Sequence, residues 1–477
     1  MCRKDGPGRY LPGPFLEKMD WKIGGIMNIV IIGLGTIGRN ILKSLSAEDH
    51  TITIIDQCQS KVEELVERYD VMGVIGNGAC LDIQKEANVS EADMVIALTR
   101  NDELNIFACM TAKRLGGKHT VARVRNPDYR NQIMEMKQEL GISMIVNPEG
   151  QTAGEIFNLI SLPSAVRVEH FANGKASLVE VEVQKGCSLI GESLYSLGKK
   201  LTAQVLICAV QRGNQIVIPS GDFVIQENDK LHFTSDVKNL GDFLKEAGLV
   251  KSPIKTVMIV GGGRIGFYLA DMLSKKKYKV KLIELDMEKA KVLAENLPNV
   301  TVCCGNGTSH EFLLEEGIES ADAFVALTDI DEENTIVAMF AEKRNVRKAI
   351  AKVKSDELLG MYEELGIKNS VSSKHIVAER ILGYARAIDN SRGSNILTLY
   401  QLVNNKVEAL EFTAKKPSDI YGKPLRELKI KKNCLIACII KKDNVIIPNG
   451  DSRIELGDNV VVVTTNKNYD DLMDAFD

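Results

Sequence analysis

The residues whose types and spacing could do chemistry here are glycines at fixed intervals, each set answered by a distant acid. In NIVIIGLGTIGRNILKSL (28–45), Gly33, Gly35 and Gly38 stand between a strand-like apolar run and a helical pattern, with Leu34, Thr36 and Ile37 among them. Residues 256–273, TVMIVGGGRIGFYLADML, repeat the arrangement with Gly261, Gly263 and Gly266, interleaved with Gly262, Arg264 and Ile265. The first glycine of such a loop permits a tight turn, the second lets a pyrophosphate approach the backbone, and the third lets helix and strand pack closely. Phosphate then meets unpaired N–H groups at the helix start, where the dipole also favours an anion. Asp56 and Glu284 each lie 23 residues beyond the first glycine, at the ends of TITIID (51–56) and within VKLIEL (280–285). Each can accept hydrogen bonds from an adenosine ribose. No Arg or Lys directly follows Asp56 in DQCQS, so a ribose 2′-phosphate lacks a partner there and NAD(H) is favoured over NADP.

The copies disagree at one informative place. Where the first loop has Thr36, the second has Arg264. A guanidinium on the first helical turn can grip phosphate oxygens with two N–H groups, which points to ADP or ATP at the second site. The same residue also reads as a solvated helix-start side chain, although a cation there opposes the dipole.

Elements must position these loops, and the chain writes them twice. GNGACLDIQKEANVSEADMVIALTRNDELN (76–105) matches GNGTSHEFLLEEGIESADAFVALTDIDEEN (305–334), HTVARV (119–124) answers KAIAKV (348–353), and IPSGDFVIQENDKL (218–231) answers IPNGDSRIELGDNV (447–460). Such self-similarity is a duplication. Within each copy, about 120 residues alternate β-branched runs (28–33, 51–56, 71–76, 92–98, 119–124 and 144–147 in the first) with helical segments. The runs are continuously apolar, as strands buried on both faces of a parallel sheet should be. A helical connector follows, then a smaller strand-rich unit in which Asn173-Gly174 reads as a hairpin turn. The expected fold is α/β: two tandem Rossmann-like, doubly wound parallel-sheet domains, each followed by a small α+β domain. The boundaries are an extension or tag at 1–26, the first nucleotide domain at 27–147, a connector at 148–162 and a small domain at 163–247. The second series runs 254–371, 372–390 and 395–477.

Composition narrows the classes of function. The 477 residues are 44% hydrophobic and 26% charged, with a net charge of −4, which gives no electrostatic footprint for nucleic acid. No apolar run approaches the ~18–20 residues needed to span a bilayer. The ten cysteines are scattered without C-x-x-C pairs and read as reduced residues packed as small apolar groups. Residues 1–26 hold the single Trp and lack the apolar run of a signal peptide, so they are set outside the fold.

With the two loops, EADMVIALT, ADAFVALT and the strand-rich units in hand, the chain resembles the TrkA family of tandem RCK (KTN) plus TrkA-C regulatory proteins over about 27–477. The resemblance implies a cytosolic regulatory subunit, assembled as a homo-tetrameric ring, that binds NAD(H) or adenine nucleotides. It implies gating of a membrane potassium transporter of the TrkH type, with the chain on the inner face of the membrane through that partner. Carried over residue by residue, the phosphate loops are Gly33–Gly38 and Gly261–Gly266, and the ribose acids are Asp56 and Glu284. The adenine-side turns are Asn77-Gly78 and Asn306-Gly307, although the family often has an acid at the Asn position. The loops after strand four are Thr99-Arg100 and Thr328-Asp329, and the basic positions of strand five are Arg123 and Lys352. The contrast of Arg100 with Asp329 implies two unequal sites.

An enzyme would need more than a cofactor. The six histidines occupy no matching positions in the two copies, and no H-E-x-x-H, G-x-S-x-G or metal-ligand cluster is present. No catalytic or metal-ligating residue is assigned. His310 reads as a helix-start surface residue, and the KKKYKVK run (275–281) as a helix end that favours cations. The alternatives are an NAD-dependent oxidoreductase and an adenylate-sensing protein unrelated to transport.

Overall fold

The computed structural model describes residues 10–11, 26–48, 50–126, 132–133, 135–161, 165–171, 176–202, 205–213, 215–249, 254–359, 369–390, 396–402, 407–415, 418–441, 444–466, 469 and 471–477. The chain forms two compact units, one of residues 1–152 with 372–385, the other of residues 153–371 with 386–477.

In the first unit, six parallel strands lie in the order Met72–Ile75, Thr51–Asp56, Asn28–Ile32, Met94–Ala97, His119–Arg123, Met144–Val146. Numbered along the chain this is 3-2-1-4-5-6, the doubly wound order that opens a crevice beside strand one. Its inner strands are buried on both sides: Ile29, Ile31, Ile54, Val95 and Ile96 are each at most 2% exposed. The N-terminal extension is not wholly outside the fold. Tyr10–Leu11 adds an antiparallel edge strand against Val74 and Gly73, whose free backbone groups an edge offers to any extended segment.

The second unit repeats the order with Val300–Cys304, Lys279–Glu284, Thr256–Val260, Ala323–Ala326, Lys348–Lys352 and Ser370–Val371, all parallel. It also contains both small domains. Each is a five-stranded antiparallel sheet, in the order Gln215–Val217, Val205–Arg212, Lys230–Asp236, Ala176–Glu182, Ala165–Phe171 in one and Asn444–Ile446, Cys434–Lys441, Asn459–Thr464, Val407–Thr413, Ile396–Leu402 in the other. Their strands share a core of Leu178, Cys208, Ala209, Val407, Ala437, Cys438 and Val461, and the Thr234 hydroxyl donates to the carbonyl of Ala437 at 2.8 Å. The expected Asn173-Gly174 turn lies outside the described residues, but the strands that flank it do pair antiparallel. The nine described cysteines are all free.

The connectors are exchanged. Helix Pro148–Ser161 places Ala153, Ile156, Leu159 and Ile160 in one core with Ile259, Leu269 and Leu282 of the second nucleotide domain. Helix Ser373–Asn390 joins the first unit through its N-terminal part: Lys374 O accepts from Asn40 Nδ2 at 3.3 Å, and the Tyr384 hydroxyl lies 3.4 Å from His119 Nδ1. Among the described residues no helix is long and apolar enough to cross a membrane.

Candidate functional site

Each glycine loop is dictated by close approach. Gly33 has φ +95°, and a Cβ there would lie 2.9 Å from the backbone N of Thr99; Gly261, with φ +103°, would meet Leu327 at 2.8 Å. A Cβ on Gly38 or Gly266 would sit 2.2 Å from the carbonyl oxygen of Gly33 or Gly261. The middle glycines differ. Gly35 (φ −74°) and Gly263 (φ −65°) have extended backbones, and a Cβ on either meets nothing within 4 Å. They face open space where the other glycines face protein.

Both are also helix N-caps without a side-chain cap, ahead of helices Thr36–Leu45 and Arg264–Lys275. Some other helices of the same domains are capped by side chains, with Asn101 accepting from Leu104 N at 2.6 Å and Asp286 from Lys289 N at 2.9 Å, whereas Gln59–Arg68, Leu81–Glu86 and Asp331–Lys343 are not. The loop helices thus present their first N–H groups outward, ready for an anion.

The acids stand against the loops. Asp56 takes the N–H of Leu34 at 2.8 Å through Oδ2 and that of Cys58 at 2.9 Å through Oδ1. Glu284 takes Gly262 N at 2.9 Å and Asp286 N at 3.1 Å, and it also pairs with Lys289 at 3.2 Å. Lys61 occupies the matching position in the first copy and lines its cleft beside Asp56. A cation is therefore present near the first ribose position, delivered by a helical turn five residues after the acid rather than directly after it.

The first cleft has a volume of about 640 Å³. Gly33, Gly35, Thr36, Ile37, Asp56, Asn77, Gly78, Thr99, Arg100 and Arg123 all line it, whereas Leu34 is fully buried behind the loop. Asn77 turns its Oδ1 to the N–H of Ala79 at 3.1 Å, and Asn306 does the same for Thr308 at 3.0 Å, so each closes its own turn. Gly78 and Gly307 are required by packing, because a Cβ would strike Ile32 at 2.2 Å or Val260 at 2.4 Å. In the second copy Arg264 is exposed at the first helical position and Ile265 packs against the core.

Residues beyond the motifs hold the rim. Fully buried Asn105 binds Thr99 N at 2.8 Å and the carbonyls of Thr99 and Arg123 at 3.1 and 3.0 Å. Asn334 repeats this clamp on Thr328 and Lys352. Asp102 accepts from the N–H groups of Arg125 and Asn126, both at 2.8 Å, and Asp331 from Lys354 and Ser355 at 2.6 and 2.9 Å. Arg125 also lines the first cleft. The repeated segments 76–105 and 305–334 already aligned Asn105 with Asn334; that repetition was the available signal.

The strand-five ends carry different charge. Lys352 is almost buried, and burial, with Lys354 nearby, lowers its pKa against the pull of Asp329. Asp329 is held below the usual carboxylate range by its hydrogen bond from Lys354 and by the charge of Lys352. Among the described residues no group of three or more His, Cys, Asp or Glu could hold a metal ion.

A doubled, doubly wound sheet with outward-facing loop helices, each passing on to a small antiparallel sheet, defines the tandem RCK fold class. The TrkA-N domain model matches residues 29–148 and 257–373, and the TrkA-C domain model matches 178–248 and 409–477. The chain belongs to the TrkA family of Trk-system potassium uptake proteins. It is 33% identical over 444 residues to Trk system potassium uptake protein TrkA homolog 1 of Methanosarcina mazei, covering 91% of this chain and 97% of that one. It is 30% identical over 447 residues to TrkA of Vibrio alginolyticus, covering 93% and 97%. Its fold matches that of the GsuK channel bound to NAD, with a TM-score of 0.62 at 19% identity over 96% of this chain and 79% of that one.

Proposed function

We propose that this chain regulates a membrane potassium transporter by binding NAD(H) at the first glycine loop and ADP or ATP at the second. The observation that carries the reading is the first cleft, where the open helix start at Gly35, the Asp56 carboxylate and the Arg100 and Arg123 cations line one surface of about 640 Å³. That volume suits a nucleotide. The site residues are the loops Gly33–Gly38 and Gly261–Gly266, the acids Asp56 and Glu284, and the rim positions Asn77, Gly78, Thr99, Arg100 and Arg123. Asn306, Gly307, Thr328, Asp329 and Lys352 complete the second site. GsuK, of the same fold, was solved bound to NAD.

The partner is a TrkH-type transporter, met at the inner face of the membrane, and the chain works as a homo-tetramer rather than as an enzyme. Equivalent helix positions leave apolar side chains exposed in both copies: Phe107 at 57% and Met110 at 40%, then Ile336 at 66% and Met339 at 39%. A face of this kind, present twice, suits contact with further copies. Nucleotide gates the transporter only through different affinities for its open and closed arrangements. The test is potassium flux through the reconstituted complex while NADH, NAD, ADP and ATP are titrated. Flux should follow occupancy; nucleotide-independent flux, or turnover of NADH by the purified chain, would overturn the proposal.

A further inference from the structure

Equivalent positions just beyond the fourth strand carry opposite charge: Arg100 in the first copy and Asp329 in the second. Arg100 lines the first cleft with Arg123 and Arg125. In the second copy the corresponding cations are Lys352 and Lys354, and Asp329 holds both. Its Oδ1 lies 3.2 Å from Lys354 Nζ and 3.7 Å from Lys352 Nζ, and its carbonyl accepts from Lys354 Nζ at 2.7 Å. Lys352 Nζ also donates to the carbonyl of Leu327 at 3.3 Å, and that oxygen lies 2.8 Å from where a Cβ would stand on Gly261. The cluster therefore adjoins the first glycine of the loop. The Asp329 side chain is 95% exposed and that of Lys352 only 10%, so the carboxylate covers the ammonium from the solvent side.

Strand order gives a ligand its direction. Glu284 ends the strand on one side of Thr256–Val260, while Ala323–Ala326 and then Lys348–Lys352 lie on the other. A phosphate chain that starts from a ribose at Glu284 crosses the glycine loop and, if long enough, runs on toward Asp329. Two phosphates are met by the N–H groups after Gly263 and by Arg264. A third reaches lysines whose charge is already engaged, and a carboxylate of its own sign.

We infer that Asp329 is a tethered counter-ion that makes the second site select a nucleoside diphosphate over a triphosphate. The inference rests on the reading of the second loop as a nucleotide site, and it gives that site a ligand preference. Arg100 at the same place in the first cleft attracts what Asp329 repels.

Calorimetric titration of the full chain carrying Gly35→Val, so that only the second site remains, tests the selection with ADP and ATP in turn. Asp329→Asn should tighten ATP about five- to tenfold and change ADP less than twofold, as expected for removal of one exposed like charge. The gain should shrink as salt rises, which a merely structural change would not show. Asp329→Glu should keep the original ADP-to-ATP ratio, and Asp329→Arg should move it further toward ATP. Equal tightening of both nucleotides, or an unchanged ratio, overturns the inference while leaving the site standing. A folded Gly35→Val chain that binds neither nucleotide overturns the second site itself, and the inference with it.

Discussion

Asp56 accepts the backbone N–H of Leu34 at 2.8 Å, so the acid that would hold a ribose also holds the loop that would hold phosphate. Removing it acts twice. Asp56→Ala should weaken NADH binding ten- to hundredfold, the equivalent of about 1.5–3 kcal/mol for lost charge-assisted hydrogen bonds. Faster amide exchange at Leu34 should accompany the loss, with the far-ultraviolet circular dichroism unchanged. Native affinity in the folded variant would remove Asp56 from the site.

Gly33 and Gly35 should respond oppositely to the same substitution. Gly35→Val enters open space from an extended backbone, so thermal stability should hold while nucleotide binding is lost. Gly33→Val requires a branched side chain at φ +95° and 2.9 Å from Thr99 N, and should cost roughly 2–4 kcal/mol of stability. Denaturant melts beside binding titrations separate the two; a destabilised Gly35→Val that still binds would reverse the assignment.

How far all this was readable beforehand depends on the range of each interaction. The doubly wound parallel sheets follow from β-branched runs such as NIVII and TITIID, because strands buried on both faces need apolar residues throughout, whereas the 3-2-1-4-5-6 order is set by which strands pair in the folded chain. The glycines and acids were legible because a short turn and the end of an adjacent strand fix their spacing. Lys61 was missed because attention to the residues next to Asp56 ignores the turn of helix that returns a side chain to it. The exchanged connectors were hidden too: the apolar face of Ala153, Ile156 and Ile160 has the same period whichever core covers it. Asp329 was seen to differ from Arg100, but its capture of two lysines needed the paired strand ends.

Arg264 stands exposed at the first position of its helix, beside the uncapped Gly263. Arg264→Thr, the residue of the first copy, should weaken ADP at the second site by about 1.5–3 kcal/mol and NADH by less. Equal losses in a calorimetric comparison would place the side chain on the shared pyrophosphate, and no loss would return it to solvent.

The exposed helix faces predict assembly behaviour. Phe107→Asp combined with Ile336→Asp puts charge where apolar side chains are 57% and 66% exposed. Light scattering should show a smaller particle than the parent at equal concentration, with circular dichroism unchanged. An unaltered mass would place the contacts between copies elsewhere.

Asp322 should shape acid stability. Burial pushes its pKa up, but hydrogen bonds from the N–H groups of Lys255 and Thr256, at 2.7 and 2.9 Å, and from Arg347 outweigh burial and hold it at about 2, below the ordinary 3.8. With the folded-state value depressed, its contribution is complete above the ordinary value and lost as pH falls through the folded one. The loss, discounted for its partial exposure, is roughly 1–2 kcal/mol. Denaturant melts between pH 5 and 2 should show a shallower acid decline for Asp322→Asn (about that pH range by linkage); identical slopes would dismiss the role.

The exchange of connector helices has a consequence for stoichiometry. A chain of half this length, with the same connector, would lack Ile156 and Ile160 or their counterparts from its own hydrophobic core and would need another chain to supply them. Joining the two copies makes that supply intramolecular. Its effective concentration no longer falls on dilution, so the first and second clefts stay matched one to one however little protein a cell makes.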